Sequence, residues 1–289
     1  MPRDRPREDD VSIVSDRLEA GPVDPEARRR RKRSRLIRRI ALITALVVGV
    51  GGGVVFVQLR AKTTVVSIDD SLDRFRESAA GGERVAGLPE PGVYVLATEG
   101  GDEVSVLGGS RHRYPAQTTI TVTREGCGAR FRWDALGERW EEWLVCPDGN
   151  RLEVRELVTY HQFFGKSDRR EYFCGEDSTY SPGIVEPGAT WSGVCSGTDG
   201  TTGTAEGELV GVEFLSVGGT RVRTLHMRVV ITFSGVTVGT RESELWLVAS
   251  TGLPVVTVAT DDLETDSVLG RTRYLEGYRA ELASLKPRV

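Results

Sequence analysis

The chain has 289 residues and a formal net charge of -4, enough length for one or two domains. The charge is unevenly spread: residues 1–39 carry 13 Lys/Arg against 8 Asp/Glu, residues 40–59 carry none, and residues 60–289 carry 25 Lys/Arg against 34 Asp/Glu. A basic tail, an uncharged block and an acidic body exclude a single uniform globular chain.

Residues 1–27 mix Pro, Arg and acidic residues with few apolar ones, so they cannot bury enough surface to offset their ordering entropy. Residues 1–39 are therefore expected to be a disordered, basic tail. Its basic cluster is Arg28, Arg29, Arg30, Arg31, Lys32, Arg33, Arg35, Arg38 and Arg39. Such a cluster attracts anionic head groups at about 1 kcal/mol per charge near a membrane surface. Nucleic acid is the other partner of basic runs. The position beside an apolar segment makes a topology signal the simpler account, and no nucleic-acid partner is expected.

Residues 40–59, IALITALVVGVGGGVVFVQL, are uncharged. A helix of that length rises about 30 Å, the thickness of a bilayer's hydrocarbon. The basic cluster before it and the acidic residues from Asp69 onward orient it with the N-terminus cytoplasmic and residues 60–289 outside. The apolar run is too long for a signal peptide, and no A-x-A site follows it. The expectation is a single-pass protein of the plasma membrane. Gly49 and Gly53 have the spacing of a helix-dimerisation pair, a candidate homodimer contact, although Gly51 and Gly52 beside them dilute the pattern.

Residues 60–90 read as stalk and linker. Ser67, Asp69 and Asp70 form a helix start, and Ile68, Leu72 and Phe75 form a narrow apolar stripe. This predicts a short helix over 67–79, either a stalk or a helix lying against the following domain.

From Gly92 the apolar period changes to two. Leu225, Met227, Val229, Ile231 and Phe233 alternate with polar residues, as in a half-buried antiparallel strand. Shorter runs at 92–97, 102–107, 118–123, 204–215, 241–249 and 253–260 are separated by Gly, Pro, Asp and Ser. Residues 91–289 are thus expected to be mainly β, a curved antiparallel sheet.

Cys127, Cys146, Cys174 and Cys195 all follow the apolar segment, which suggests two disulfides in an oxidising compartment, four buried thiols being the alternative. Pairing Trp133 with Trp140 brings Cys127 opposite Cys146, and Phe131 opposite Glu142, in one hairpin register. This register predicts Cys127–Cys146 and leaves Cys174–Cys195, one of three connectivities. Trp133, Trp140, Trp143 and Trp191 lie near these cysteines. They either pack on the disulfides or line an apolar ligand site.

The stretch Trp246-Leu247-Val248-Ala249-Ser250-Thr251-Gly252-Leu253-Pro254, followed by a closing strand near 271–283, resembles the LolA/LppX type of bacterial lipoprotein carrier. The resemblance covers about residues 90–289. It implies a half-barrel, a curved sheet with helices as a lid over a lipid cavity. The chain departs from that pattern in its membrane segment and its lack of lid helices, and a tethered domain cannot shuttle. The Arg-rich composition, with only four Lys and one Asn, matches a GC-rich genome such as that of an actinobacterium.

Catalytic and metal motifs are sparse. His112, His161 and His226 lie outside any H-E-x-x-H, the cysteines lack C-x-x-C spacing, and no G-x-S-x-G occurs. Asp261, Asp262, Glu264 and Asp266 form an acidic cluster without EF-hand spacing. No catalytic residue, metal or cofactor is expected. The reading is a membrane-anchored, non-catalytic binding or interaction module of the cell envelope, with a lipid or an envelope protein as partner. The alternative is a lipid-binding half-barrel of the carrier type.

Overall fold

The computed structural model describes residues 63–78, 85–105, 109–183, 186–267 and 270–289. The tail 1–39, its basic cluster, the apolar segment 40–59 and the pair Gly49 and Gly53 lie outside these residues. Among the described residues, no helix is long and apolar enough to cross a membrane.

One helix, α1 (Ile68–Ser78), opens the described chain. Its start is a reciprocal cap: the Asp70 amide donates to Ser67 Oγ at 3.0 Å, and the Ser67 amide donates to Asp70 Oδ2 at 2.9 Å. Leu72 and Phe75 pack on Val93, and Ser71 Oγ lies 2.8 Å from Thr119 Oγ1. The helix therefore lies against the domain rather than standing off it as a stalk.

Fourteen strands follow. They are β1 (Gly92–Val104), β2 (Ser110–Arg113), β3 (Gln117–Glu125), β4 (Gly128–Leu136), β5 (Arg139–Asp148), β6 (Arg151–Phe163) and β7 (Lys166–Cys174). Then come β8 (Thr179–Ser181), β9 (Thr190–Gly197), β10 (Thr202–Val217), β11 (Thr220–Ser234), β12 (Thr237–Val248), β13 (Pro254–Ser267) and β14 (Gly270–Leu282). Neighbours pair antiparallel, and β14 returns to β1 from Leu96↔Leu282 to Val104↔Tyr274. The ring is thus a closed barrel of 12 strands, with β2 extending the wall beside β1, and β8 pairing with β6. The mainly β, antiparallel expectation holds, but the half-barrel does not. A half-barrel would leave two sheet edges open, and here they are joined.

Alternation assigns the faces. Leu225, Met227, Val229 and Ile231 point into the lumen, opposite Leu245, Ser243 and Arg241 of β12. The intervening residues point out: Arg228 sits 3.6 Å from Glu208 and 3.7 Å from Glu244 on the neighbouring strands. This stretch of outer wall is charged where a transmembrane barrel would carry an apolar band. α1 covers the outside of β1 and β3 and is not a lid over the lumen.

The Thr251-Gly252-Leu253-Pro254 turn is fixed by its backbone. Gly252 has φ +71°, and its amide donates to Val248 O at 2.8 Å. A Cβ at Gly252 would lie 2.5 Å from Leu152 Cδ1, so the turn presses against β6.

Both disulfides form as expected, Cys127–Cys146 and Cys174–Cys195. The register used to place the first is off by one residue. Trp133 pairs with Glu141 and Phe131 with Trp143, while Trp140 pairs with Asp134. The turn after β4 is only Gly137–Glu138, and a bulge between Asp134 and Leu136 shifts the ladder. Cys127 precedes β4 and reaches Cys146 from the turn, with a Cα–Cα distance of 5.3 Å. The two disulfides are bonds of the kind that form and persist in an oxidising compartment.

Candidate functional site

The lumen holds a cavity of about 190 Å³, reached by side chains from every wall strand except β7. Most of its lining is apolar, including Leu96, Ile120, Trp133, Trp143, Leu157, Val229, Ile231, Leu245 and Ala280. Three of the four tryptophans meet here. Trp133 stacks on Tyr278 with ring centroids 4.3 Å apart, and its Nε1 donates to Thr118 Oγ1 at 3.1 Å. Trp143 stacks on Phe131 at 5.3 Å. Trp191 lies over Gly207, where a Cβ would fall 2.1 Å from its ring, so glycine at 207 makes the space for the indole. Cys195 also borders the cavity, which places the Cys174–Cys195 disulfide in its wall.

Trp140 does not join them. A one-residue change of register moves a side chain to the other face of a sheet. Trp140 is on the outside, stacked on Tyr160 at 5.0 Å with the Arg132 guanidinium 4.1 Å above its ring. Its expected role as a lining residue is therefore corrected.

One side of the cavity is polar. Arg139, 1 % exposed, donates from Nε to Glu276 Oε1 at 3.0 Å and from Nη2 to Glu276 Oε2 at 2.8 Å. The same Nη2 donates to Glu141 Oε2 at 3.0 Å. Arg241 donates to both oxygens of Glu141, at 2.8 and 3.1 Å, and to the Tyr278 hydroxyl at 3.2 Å. Its Nε lies 3.6 Å from Asp261 Oδ1. Tyr114 donates its hydroxyl hydrogen to Glu276 Oε1. The cluster thus sets three carboxyls against two guanidiniums.

The environment splits the carboxyls. Burial opposes charge on Glu276 and Glu141, but the guanidiniums outweigh it and hold both below the ordinary range, Arg139 acting mainly on Glu276 and Arg241 on Glu141. Burial wins at Asp261 and pushes it well above the ordinary range, with Arg241 only partly opposing and Glu276 adding repulsion. Burial thus works against a charge on Asp261, while Glu276 and Glu141 are the carboxylates that answer the two guanidiniums.

Beyond the cluster the lumen continues into a second polar group. His112 Nδ1 is 2.9 Å from Asp102 Oδ1, and the His112 ring stacks on Phe163 at 4.5 Å. His161 packs on Tyr274 at 4.6 Å, and burial holds it neutral, its pKa well below the usual histidine value. His226 is on the outer face, stacked on Trp246 at 4.0 Å and 3.0 Å from Glu213. The acidic cluster of 261–266 is divided by strand alternation: Asp261 faces in, while Asp262 and Glu264 face out and pair with Arg273 and Arg271. Among the described residues no group of His, Cys, Asp and Glu is placed to hold a metal.

Sequence reasoning passed over Arg139, Glu141, Arg241 and Glu276. A signal for three of them was present. Arg241 is in phase with Leu245, Glu141 with Trp143, and Glu276 with Tyr278, each a charge on the face that its strand's apolar residues assign to the core. Arg139 carries no such signal, because it follows the bulged turn.

No protein-family model matches the chain, and no curated protein matches it. One solved structure similar to it is that of the hypothetical lipoprotein YmcC from Escherichia coli (K12), at 12% identity. The match has a TM-score of 0.31 and covers 78% of this chain and 99% of that one. At that score the likeness adds nothing to the fold assignment, which rests on the strand pairing of this chain.

Proposed function

We propose that the barrel is a non-catalytic binding module that holds one small apolar molecule, or one short apolar chain, in its lumen. Residues 40–59 would tether it as a single-pass anchor on the extracytoplasmic side of the plasma membrane. The observation that carries this reading is the apolar cavity with its converging Trp133, Trp143 and Trp191. An engineered apolar cavity of about 150 Å³ takes up benzene, so this one is large enough for a single ring or short chain. It falls below the roughly 300–1,000 Å³ usual for drug-sized ligands. A lipid with several acyl chains would exceed it, which separates this reading from a carrier of whole lipids. The two disulfides fit the side of the membrane that the flanking charges select.

A protein-interaction role would call for a broad exposed apolar patch. Among the described residues, Phe173 and Val194 on the adjacent strands β7 and β9 are exposed apolar neighbours, while Phe214 on β10 lies under the Arg221 guanidinium; such side chains make a poor patch. Ligand binding is therefore preferred.

Native mass spectrometry of the full chain released from membranes tests the proposal. A small apolar adduct of defined mass, or a rise in melting temperature with small aromatic or short aliphatic compounds, is the expected result. No adduct and no shift with such a panel would defeat it.

A further inference from the structure

The cavity has an apolar wall and a polar side, and the polar side indicates which head group it accepts. Glu141, Arg241 and Tyr278 border the space directly. Behind them stand Arg139, Glu276 and Asp261. Both oxygens of Glu141 already accept from guanidiniums, and Arg241 spends its Nη groups on Glu141 and Tyr278. The two cations therefore have no vacant fork for an incoming carboxylate or phosphate. Glu141 and Glu276 already answer the two guanidiniums, so an added anion would enter a cluster with no positive charge to spare. An added cation would find Glu141 the only carboxylate among the lining residues, and both its oxygens are already neutralised by guanidiniums at 2.8–3.1 Å. Tyr278 differs: its oxygen accepts from Arg241, which leaves its hydroxyl hydrogen able to donate to a neutral oxygen. Stability alone does not explain the cluster, since a buried ion-pair group is often no better than an apolar filling of the same volume.

We infer that the lumen selects an uncharged amphiphile, an apolar body bearing a single hydroxyl, ether or carbonyl oxygen, and excludes ionised molecules of the same shape. This rests on the reading of the cavity as a ligand site. The cost of burying an unpaired charge supplies the discrimination.

The test uses the full chain in lipid nanodiscs, with empty nanodiscs as the blank, and three probes of equal length: 1-octanol, octanoate and octylammonium at pH 7. Binding is read from the fluorescence of the lumen tryptophans. Octanol is expected to bind at least about tenfold more tightly than either ion. Equal or tighter binding of an ion would overturn the selectivity while leaving the cavity a ligand site. Saturable binding of none of the three would count against the ligand site itself. Glu141→Gln supplies a second arm. It removes one negative charge and loosens both guanidiniums, so octanoate should gain about tenfold relative to octanol. An unchanged ratio in the folded variant would also overturn the inference; if that variant does not fold, the three-probe comparison on the native chain decides.

Discussion

Glu276 is the residue on which the polar side of the lumen turns. It takes both arms of Arg139 and the Tyr114 hydroxyl, and it is buried. Glu276→Gln leaves the Arg139 charge in the lumen with one carboxylate fewer, and removing one partner of a buried pair costs about 3–5 kcal/mol. Urea denaturation should show that loss; a change within experimental error would mean that Glu141 alone suffices for Arg139. A pH effect belongs at the same scale. His161 is held well below the usual histidine value of about 6.5 by burial and by Arg139. Below that pH the unfolded chain binds a proton that the folded chain refuses, so this residue's contribution is present above 6.5 and is lost as the pH falls. Asp261 and Asp102 are raised and act in the opposite sense, so the sign is best read as a difference. Relative to His161→Phe, the native chain should lose stability on acidification from pH 6.5, by at most about 1.4 kcal/mol per pH unit. A parallel pair of pH curves would show that His161 titrates as in the unfolded chain.

Among the elements, β7 is the weak member of the wall. It pairs with β9 only at Tyr172↔Gly197, Phe173↔Ser196 and Cys174↔Cys195, and Cys195 is a lining residue of the cavity. The Cys174–Cys195 bridge, with a sequence separation of 21, holds this seam and contributes on the order of 3 kcal/mol through chain entropy. Replacing both cysteines by serine should lower stability by about that much and speed hydrogen exchange at Tyr172, Phe173 and Ser196 more than at Met227 in β11. Equal acceleration in the two regions would mean that the bridge stabilises the barrel as a whole rather than this seam. The same contrast explains what could be read in advance. β11 shows its alternation because, from Thr224 to Phe233, its inner face is apolar and its outer face, Val230 apart, is polar. β6 and β7 escaped notice, because KSDRREYFC puts Arg170 on the inner face and Phe173 on the outer, which cancels the period. The Cys127–Cys146 bond was legible from spacing, yet the register was not, since a bulge leaves no mark in composition. The charged cluster was legible only as a phase error at Glu141, Arg241 and Glu276, three charges that strand alternation places where apolar residues belong.

At the scale of the whole molecule, closure depends on the two strands furthest apart in sequence. β1 pairs with β3 and β2 along one edge, and β14 is the partner that closes its other edge; residues after β14 continue the pairing as Arg288 and Val93 exchange backbone hydrogen bonds at 2.9 Å. Contacts of such long separation form late, after the loop entropy has been met. A chain ending at Ser267 lacks β14 and leaves β1 and β13 with bare edges. It should assemble into large species in gel filtration, where the full chain does not; a monodisperse truncated chain would mean that the remaining strands reclose on their own. β14, the last of the described strands, is thus the one that seals the first. The barrel carries its own proof of completeness: an unfinished or clipped polypeptide advertises itself to proteases and chaperones by an open seam, and only an intact copy can hide its interior from water.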